Sequence, residues 1–122
     1  MKISLISTSH RKKSQSSRIR EIIHINLKEK TKSLDVFNLD FSIEQIPTWS
    51  PEKKEKIGFW DSRWPQISNE LNESDGFIFI VPEYGGMATP NAKNFFLICG
   101  EGELAHKPGL IISISSGNGG SY

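Results

Sequence analysis

The sequence lacks most of the features that mark secreted, membrane-spanning and metal-binding proteins. Its 122 residues contain one cysteine, Cys99, so no internal disulfide can form, and we expect a reducing, cytoplasmic location. No apolar run approaches the roughly 20 residues of a membrane span. The first six residues run directly into a polar loop, which predicts no signal peptide. No metal site is predicted, because the histidines have no metal-ligand spacing: they are His10, His24 and His106.

Motifs for the common catalytic chemistries are also missing. The first loop has neither the G-x-G-x-x-G turn of dinucleotide-binding proteins nor the Walker pattern of nucleoside triphosphatases. No serine or cysteine lies on a recognisable nucleophile turn. A redox enzyme whose bound cofactor supplies the chemistry would have such a sequence, with binding loops and no catalytic triad.

The net charge of +1 conceals an uneven distribution. Residues 1–32 hold nine Lys and Arg residues against two acids, whereas residues 66–122 hold two against six. A basic first third suits an anionic ligand near the first loop, although a solvated basic helix face explains most of these charges equally simply. Aromatic residues are not interleaved with this basic region, so we expect no nucleic-acid partner.

Strand patterns alternate with helical patterns along the chain, which predicts a parallel α/β sheet. The clearest strand is Phe77–Val81, an apolar run bounded by Asp75-Gly76 and Pro82 and typical of a strand buried on both faces. Residues 40–61 are expected to be loop-like. The other predicted elements are strands at 3–7, 34–39 and 110–115, a helix capped within Ser14–Ser17, and helices at 62–72 and 90–99. We expect one domain over residues 1–122, with strand order 2-1-3-4.

The last predicted strand, Leu110–Ser115, is followed only by a glycine-rich loop. A strand that is mostly apolar but has no later helix or strand to cover it exposes hydrophobic surface. We therefore expect either an oligomer in which another chain covers this strand or the front portion of a longer protein.

Three loops follow the first, third and fourth predicted strands, and in a doubly wound sheet they meet at one edge. The first, Thr8–Ser17, combines hydroxyls and Arg11 with a helix N-terminus, a combination that favours a phosphate site. Helix capping by one serine is the alternative. The second, Tyr84–Met87, and the third, Gly117–Gly120, contain glycines that let the backbone approach a flat ligand, and Tyr84 offers a packing wall.

Other candidate groups have simpler alternatives. Glu83 is either an acid–base group or an exposed turn carboxylate, and Cys99 is either a reactive thiol or, as we expect, a core residue. The three tryptophans suit the core or a subunit contact better than stacking on a cofactor: they are Trp49, Trp60 and Trp64.

At these loops the chain resembles the NADPH-dependent FMN reductase family, which has a flavodoxin-like fold. The family's first motif, G-S-x-R-x-x-S, corresponds to Thr8–Ser14 here. Its second, which contains A-D-G and P-E-Y-N and ends in K-N, corresponds to Ser74–Asn94. Its third, beginning K-P and ending S-x-G-x-G-G, corresponds to Lys107–Gly120. The order and spacing of the three motifs match over nearly the whole chain.

The resemblance implies a three-layer sandwich that binds FMN and uses NADPH or NADH as co-substrate. It implies that the phosphate is held by Ser9, Arg11, Ser14 and Ser16. It implies further that the isoalloxazine ring is lined by Pro82, Glu83, Tyr84, Gly85, Gly86, Met87, Ser116 and Gly117. This chain departs from the family at Thr8 and Gly85, which replace the usual glycine and asparagine, and at Pro90, which comes one place later than usual. It also lacks the family's final helix and fifth strand.

The function expected from these features is hydride transfer from a nicotinamide nucleotide through FMN to a small acceptor such as a flavin or a quinone. No residue is expected to act as a nucleophile, and no membrane partner is expected. The alternative is a truncated flavodoxin-like module that binds no flavin and acts, if at all, through protein contacts.

Overall fold

A computed structural model describes residues 1–115 of the chain. Four parallel strands form the sheet in the order β2-β1-β3-β5, and a two-residue strand, β4, pairs antiparallel with β3. The strands are β1 (Lys2–Ser7), β2 (Asp35–Asp40), β3 (Gly76–Tyr84), β4 (Met87–Ala88) and β5 (Gly109–Ile114). The helices are α1 (Gln15–Lys30), α2 (Glu52–Glu55), α3 (Phe59–Ser62), α4 (Trp64–Glu73) and α5 (Pro90–Ile98). This topology confirms the predicted flavodoxin-like order, with β5 as the fourth parallel strand.

Helices cover the two faces of the sheet unequally. The crossover from β1 to β2 runs in the opposite direction to the crossover from β2 to β3, so right-handed connections put α1 on one face and α4 on the other. Leu5 and Ile80, both fully buried, lie on the face covered by α1. The larger core lies on the opposite face and consists of residues such as Ile6, Leu39, Phe79, Trp60, Trp64, Ile67, Leu71 and Phe95. Burial of Trp60 and Trp64 confirms their expected core role, whereas Trp49 is 41% exposed.

The end of β3 differs from the prediction. A strand ending before Pro82 was expected, but β3 runs through Pro82 to Tyr84. The carbonyl of Ile80 accepts from Thr8 N–H, so this edge of β3 faces β1. The backbone groups of residues two apart in a strand point to the same edge, so Pro82 faces the same edge as Ile80. However, β1 ends at Ser7, which pairs with Ile80, and does not extend alongside Pro82. The missing N–H of Pro82 therefore interrupts no hydrogen bond to β1.

Residues 40–61 also contain more structure than predicted. Two one-turn helices, α2 and α3, follow Pro51 and Gly58. Pro51 adopts φ −56°, suited to the start of a helix, and Gly58 has a positive φ of +60° that favours glycine. The second helix carries Trp60 into the core at 3% exposure. Burial of this indole gives the segment a structure that its proline- and lysine-rich sequence did not indicate.

Lys107, the lysine of the third motif, is a structural residue. Its Nζ donates to the carbonyls of Leu71 and Asn72, each at 2.8 Å, at the C-terminal end of α4. The ammonium also lies 5.5 Å from the ring centroid of Phe77. A cation at a helix C-terminus satisfies free carbonyls and interacts favourably with the helix dipole. Lys107 therefore joins the approach to β5 to the end of α4.

The outer edge of β5 has no strand beside it within residues 1–115, where β5 pairs with β3 alone. Leu110 and Ile111 point to opposite faces and are 56% and 63% exposed. On α5, Phe96 and Leu97 are also exposed, at 42% and 59%. The hydrophobic exposure predicted for this strand is confirmed. Among the helices formed by residues 1–115, none has the length and hydropathy of a membrane span.

Candidate functional site

The first loop ends at a well-formed helix N-terminus. Ser14 is the N-cap of α1, and its Oγ accepts a hydrogen bond of 3.0 Å from Ser17 N–H. The capping interpretation of this serine is therefore confirmed. Capping leaves the N–H groups of Gln15 and Ser16, the first two helical residues, without intrahelical acceptors. The first turn of α1 also contains no acidic residue, so this N-terminus can receive an anion.

A cavity of ≈ 240 Å³ opens between this N-terminus and the carboxyl ends of β3 and β5. Seven residues predicted for the site line it: Ser9, Arg11, Ser14, Ser16, Pro82, Glu83 and Tyr84. Gln15, Ile114 and Ser115 also line it and were not predicted. The sequence could have indicated these three residues only by their position, since each lies next to a predicted site residue or at the end of a predicted strand. Gly85, Gly86 and Met87 form the neighbouring turn, and the predicted residues Ser116 and Gly117 lie outside the described part of the chain.

Polar contacts join the two walls of the cavity. Ser9 Oγ and Tyr84 Oη are 3.2 Å apart, which connects the first loop to the end of β3. Ser9 Oγ also accepts from Arg11 N–H at 3.3 Å. The Arg11 side chain is exposed and forms no ion pair with any residue in 1–115. A guanidinium without a protein carboxylate partner, beside free helix N–H groups, can bind a phosphate dianion.

Thr8 holds the first loop in place. It is fully buried, and both its N–H and its Oγ1 donate to the Ile80 carbonyl at 3.0 Å. Thr89, the N-cap of α5, donates from Oγ1 to the Thr8 carbonyl at 3.3 Å. Thr8 does not have a positive φ, and the residue of this loop that does is Lys13, at 54°. Replacement of the family's glycine by threonine is thus compatible with the loop and adds a side-chain hydrogen bond.

The second loop is a tight β-hairpin. Tyr84 pairs with Met87, and Gly85 and Gly86 between them have φ values of +61° and +78°. Positive φ at both central residues is the type I′ geometry, which glycine adopts without steric cost. Among residues 1–115, no atom lies within 4 Å of a Cβ built at either glycine, so this part of the chain leaves the side-chain faces of the turn open.

Asp40, at the end of β2, was missed by the sequence analysis. Its carboxylate accepts from Ser17 Oγ at 2.5 Å, Arg20 Nε at 3.1 Å, and Ser42 N–H and Oγ at 2.9 and 2.6 Å. Burial would raise the pKa of Asp40, but these hydrogen bonds together outweigh burial and hold the pKa below its ordinary value. Asp40 thereby ties the first turn of α1 to the end of β2. The Asp-x-Ser sequence is an Asx-turn signature and was the one available signal.

The remaining candidates lie away from this cavity. Cys99 is half-buried, and desolvation, followed by the charge of Glu103, raises the pKa of its thiol to about 12. At that pKa the thiol is almost entirely protonated at neutral pH and is a poor nucleophile, in keeping with a core residue. Residues 1–115 contain no group of histidine, cysteine and acidic side chains that could hold a metal ion.

The sheet order and the cavity at the strand ends define the class as a flavodoxin-like α/β protein. The chain belongs to the NADPH-dependent FMN reductase family, whose profile matches residues 1–122. This match confirms the resemblance of the three motifs. No curated protein sequence matches the chain significantly.

Solved structures support the same fold. An NADH:FMN oxidoreductase, EMOB, is 18% identical with a TM-score of 0.68, over 88% of this chain and 55% of that protein. The flavoenzyme FerB, an NAD(P)H:acceptor oxidoreductase from Paracoccus denitrificans, is 17% identical with a TM-score of 0.69, over 93% and 59%. The azoreductase AzrA is 16% identical with a TM-score of 0.60, over 88% and 57%. This chain therefore spans a little more than half the length of these three proteins.

Proposed function

We propose that this chain binds FMN and acts as a flavin-dependent NAD(P)H oxidoreductase. One observation carries the proposal: a single cavity brings the N-terminus of α1 together with the Pro82–Tyr84 strand end, in a chain of the FMN reductase family. The similar structures include an NADH:FMN oxidoreductase, an NAD(P)H:acceptor oxidoreductase and an azoreductase, which agrees with such an activity.

The phosphate end of the cavity fits an FMN phosphate. The N–H groups of Gln15 and Ser16, the hydroxyls of the loop serines and the Arg11 guanidinium are all donors. Ser7, directly before the loop, has a fully buried Oγ with no hydrogen-bond partner within residues 1–115, so the base of the loop retains unused hydrogen-bonding capacity. In this proposal Ser9, Ser14 and Ser16 bind the phosphate with Arg11.

The ring end of the cavity fits a flat, partly polar ring. Pro82 and Tyr84 supply apolar surface, Glu83 a half-buried carboxylate, and the open Gly85-Gly86 turn leaves backbone accessible. We extend the ring site to Met87, which is 59% exposed beyond the turn, and to Ser116 and Gly117 on the far side. No side chain of this set needs to act as a nucleophile.

When bound, FMN would accept a hydride from NADPH or NADH and pass electrons to a small acceptor such as a flavin or a quinone. The residues of the chain would bind and orient the ring. The hydrogen bond between Ser9 Oγ and Tyr84 Oη would hold the Tyr84 ring in one position along the cavity wall. The rigid link from Thr8 to Thr89 keeps the first loop and the start of α5 at a fixed separation.

Titration with two flavins, FMN and FAD, tests the proposal. The purified protein should show flavin absorbance, or should bind added FMN with quenching of flavin fluorescence. Binding should be tighter for FMN than for FAD, because the chain has one phosphate-type loop and no dinucleotide fingerprint. Absence of FMN binding at millimolar concentration would contradict the proposal and favour the alternative of a module that acts through protein contacts.

We also propose that the chain forms a homo-oligomer. The support is the exposed hydrophobic edge of β5, with Leu110 and Ile111 more than half exposed. Size-exclusion chromatography with light scattering, combined with a thermal melt, tests this. We expect either an oligomer or a marginally stable, aggregation-prone chain, and a monomer with a sharp melt at high temperature would contradict the proposal. A single domain over residues 1–122 and a cytoplasmic location remain further parts of the proposal, the latter supported by the unpaired Cys99.

A further inference from the structure

A chain of side-chain hydrogen bonds connects the middle of α1 to its first turn by way of β2. His24 Nδ1 lies 3.0 Å from Asn38 Nδ2, and Asn38 Oδ1 accepts from Arg20 Nη1 at 2.7 Å. Arg20 also donates from Nε to Asp40 at 3.1 Å, and the same carboxylate accepts from Ser17 Oγ. A histidine in the middle of the helix is therefore joined to the turn that forms the proposed phosphate site.

Arg20 fixes the direction of these hydrogen bonds. A guanidinium has five N–H donors and no acceptor, so the amide oxygen of Asn38 must face Arg20. The NH₂ group of Asn38 then faces His24, and Nδ1 of the imidazole has to accept. The neutral His24 ring therefore carries its proton on Nε2, and its place in the chain requires an unprotonated Nδ1.

A second proton on the ring would end this arrangement. A protonated Nδ1 is a donor and would oppose the NH₂ group of Asn38, so their hydrogen bond would be lost. Turning the amide over would restore it only by directing the NH₂ group at the Arg20 guanidinium. The imidazolium would also place a second positive charge one turn after Arg20, and like charges at positions i and i+4 destabilise a helix. Both effects disturb the residue that holds Asp40.

The charged groups around His24 within residues 1–115 leave it as the one that titrates near neutral pH. On α1 they are Arg20 and Glu21, which are paired at 3.2 Å, and Lys28, which donates to a backbone carbonyl at 2.7 Å. On β2 the charged group is Asp40, whose hydrogen bonds hold its pKa below the ordinary value. The alternate residues of β1 and β3 that point to α1 are uncharged. Histidine changes its charge between about pH 5 and pH 8, and His24 is half-buried, so water can reach the ring.

We propose that His24 is a positioning residue for the first turn of α1 and that its protonation weakens the binding of a phosphate there. The proposal rests on the proposed FMN function for the identity of the ligand but not for the change within the protein. Ser17 is where the change reaches the site, because its Oγ donates to Asp40 at 2.5 Å. Movement of Ser17 would displace the adjacent N–H groups of Gln15 and Ser16, which line the flavin cavity.

Three variants separate the hydrogen bond of His24 from its charge. His24→Asn offers an amide oxygen near the position of Nδ1, which can accept from Asn38 but cannot be protonated. His24→Leu removes the acceptor at every pH. The matched control is His106→Asn, because His106 is an exposed histidine in the connection after α5, and asparagine tolerates its φ of 61°.

The first measurement uses flavin-free protein and ¹⁵N spectra between about pH 7.5 and about pH 5.5. The ring nitrogens of His24 should show the Nε2–H tautomer at the higher pH. The signals of Arg20 Nε–H and Ser17 N–H should shift as His24 titrates in the wild-type protein and in His106→Asn, and should stay in place in His24→Asn. An Nδ1–H tautomer, or equal shifts in the wild-type protein and His24→Asn, overturns the proposal whether or not FMN binds.

The second measurement is the ratio of FMN to riboflavin affinity at the same two pH values. A phosphate monoester loses its second proton near pH 6, so every variant should bind FMN less tightly at the lower pH. The ratio should fall about threefold further in the wild-type protein and His106→Asn than in His24→Asn, since one hydrogen bond is lost and a like-charge pair is formed. His24→Leu should fall no further than His24→Asn, from a lower starting ratio. An equal fall in the wild-type protein and His24→Asn overturns the proposal. If no variant binds FMN but the signals shift as expected, the flavin function is wrong and the positioning role of His24 stands.

Discussion

Removal of the Arg11 guanidinium is the most direct perturbation of the proposed phosphate site. Arg11→Ala should weaken FMN binding while leaving riboflavin, which has no phosphate, almost unaffected. Lys12→Ala is the matched control, because Lys12 is the next residue, carries the same charge and is equally exposed but does not line the cavity. Both variants lower the net charge of the basic first third by one unit.

The expected magnitude follows from the position of the side chain. A hydrogen bond to a charged group contributes about 1.5–3 kcal/mol, and an exposed ion pair is weakened by water and salt. Arg11 is exposed, so the lower end of that range applies, equivalent to roughly a tenfold rise in the Kd for FMN. At physiological ionic strength the Debye length is about 8 Å, so the long-range contribution that Arg11 shares with Lys12 should be small.

Fluorescence titrations with FMN and riboflavin, at low and at physiological salt, measure the affinities of the wild-type protein and of both variants. The ratio of FMN to riboflavin affinity should fall about tenfold for Arg11→Ala and change little for Lys12→Ala. If Arg11→Ala lowers the affinity for both flavins equally, Arg11 has a structural role and the phosphate assignment is wrong. If the two variants behave alike, the basic loop attracts the anion only through its net charge.

Two further predictions concern residues that hold the site in place. Asp40→Asn should lower the stability at pH 7 by about 2 kcal/mol, because it removes a buried charged acceptor. The pKa of Asp40 is held below its ordinary value, so the stability difference between the two proteins should persist above about pH 5 and shrink as the pH falls below about 4. Thermal melts at several pH values measure this difference, and a difference that does not change with pH would refute the prediction. Lys107→Met should lower the Tm by several degrees, since it leaves two α4 carbonyls without their donor. The control Lys93→Met replaces an exposed lysine and should leave the Tm unchanged. Equal Tm values for both variants would show that the contact of Lys107 with the end of α4 is not stabilising.

The arrangement of the site was predictable wherever it depended on strand ends. Five apolar residues at Phe77–Val81 identify a buried parallel strand, and parallel topology brings the loops after β1 and β3 to one edge. That reasoning needs only the order of the elements. It therefore predicted that Ser9 and Tyr84, 75 positions apart, would lie on the same cavity.

The supporting contacts were not predictable, because each joins side chains whose separation depends on exact packing. Thr89 reaches Thr8 across 81 positions, and Lys107 reaches the end of α4 across 36. Neither residue type indicates its partner, since threonine caps many helices and lysine is usually solvated. The extension of β3 past Pro82 depended likewise on where the neighbouring strand ends, which the sequence of β3 does not contain.

Two of the departures from the family pattern, at positions 8 and 85, have opposite consequences for the site. Threonine in place of glycine at position 8 fills a fully buried position and adds a hydroxyl that donates to the Ile80 carbonyl, so it helps to hold the first loop in place. Glycine in place of asparagine at position 85 retains the positive φ that the hairpin requires and removes the side-chain amide. A ligand that reaches Gly85 and Gly86 therefore meets backbone groups at these two positions. In the proposed flavin site the first loop is therefore held in place while the hairpin offers no side-chain amide at position 85, so the affinity for the flavin should depend more on the phosphate loop than on the hairpin.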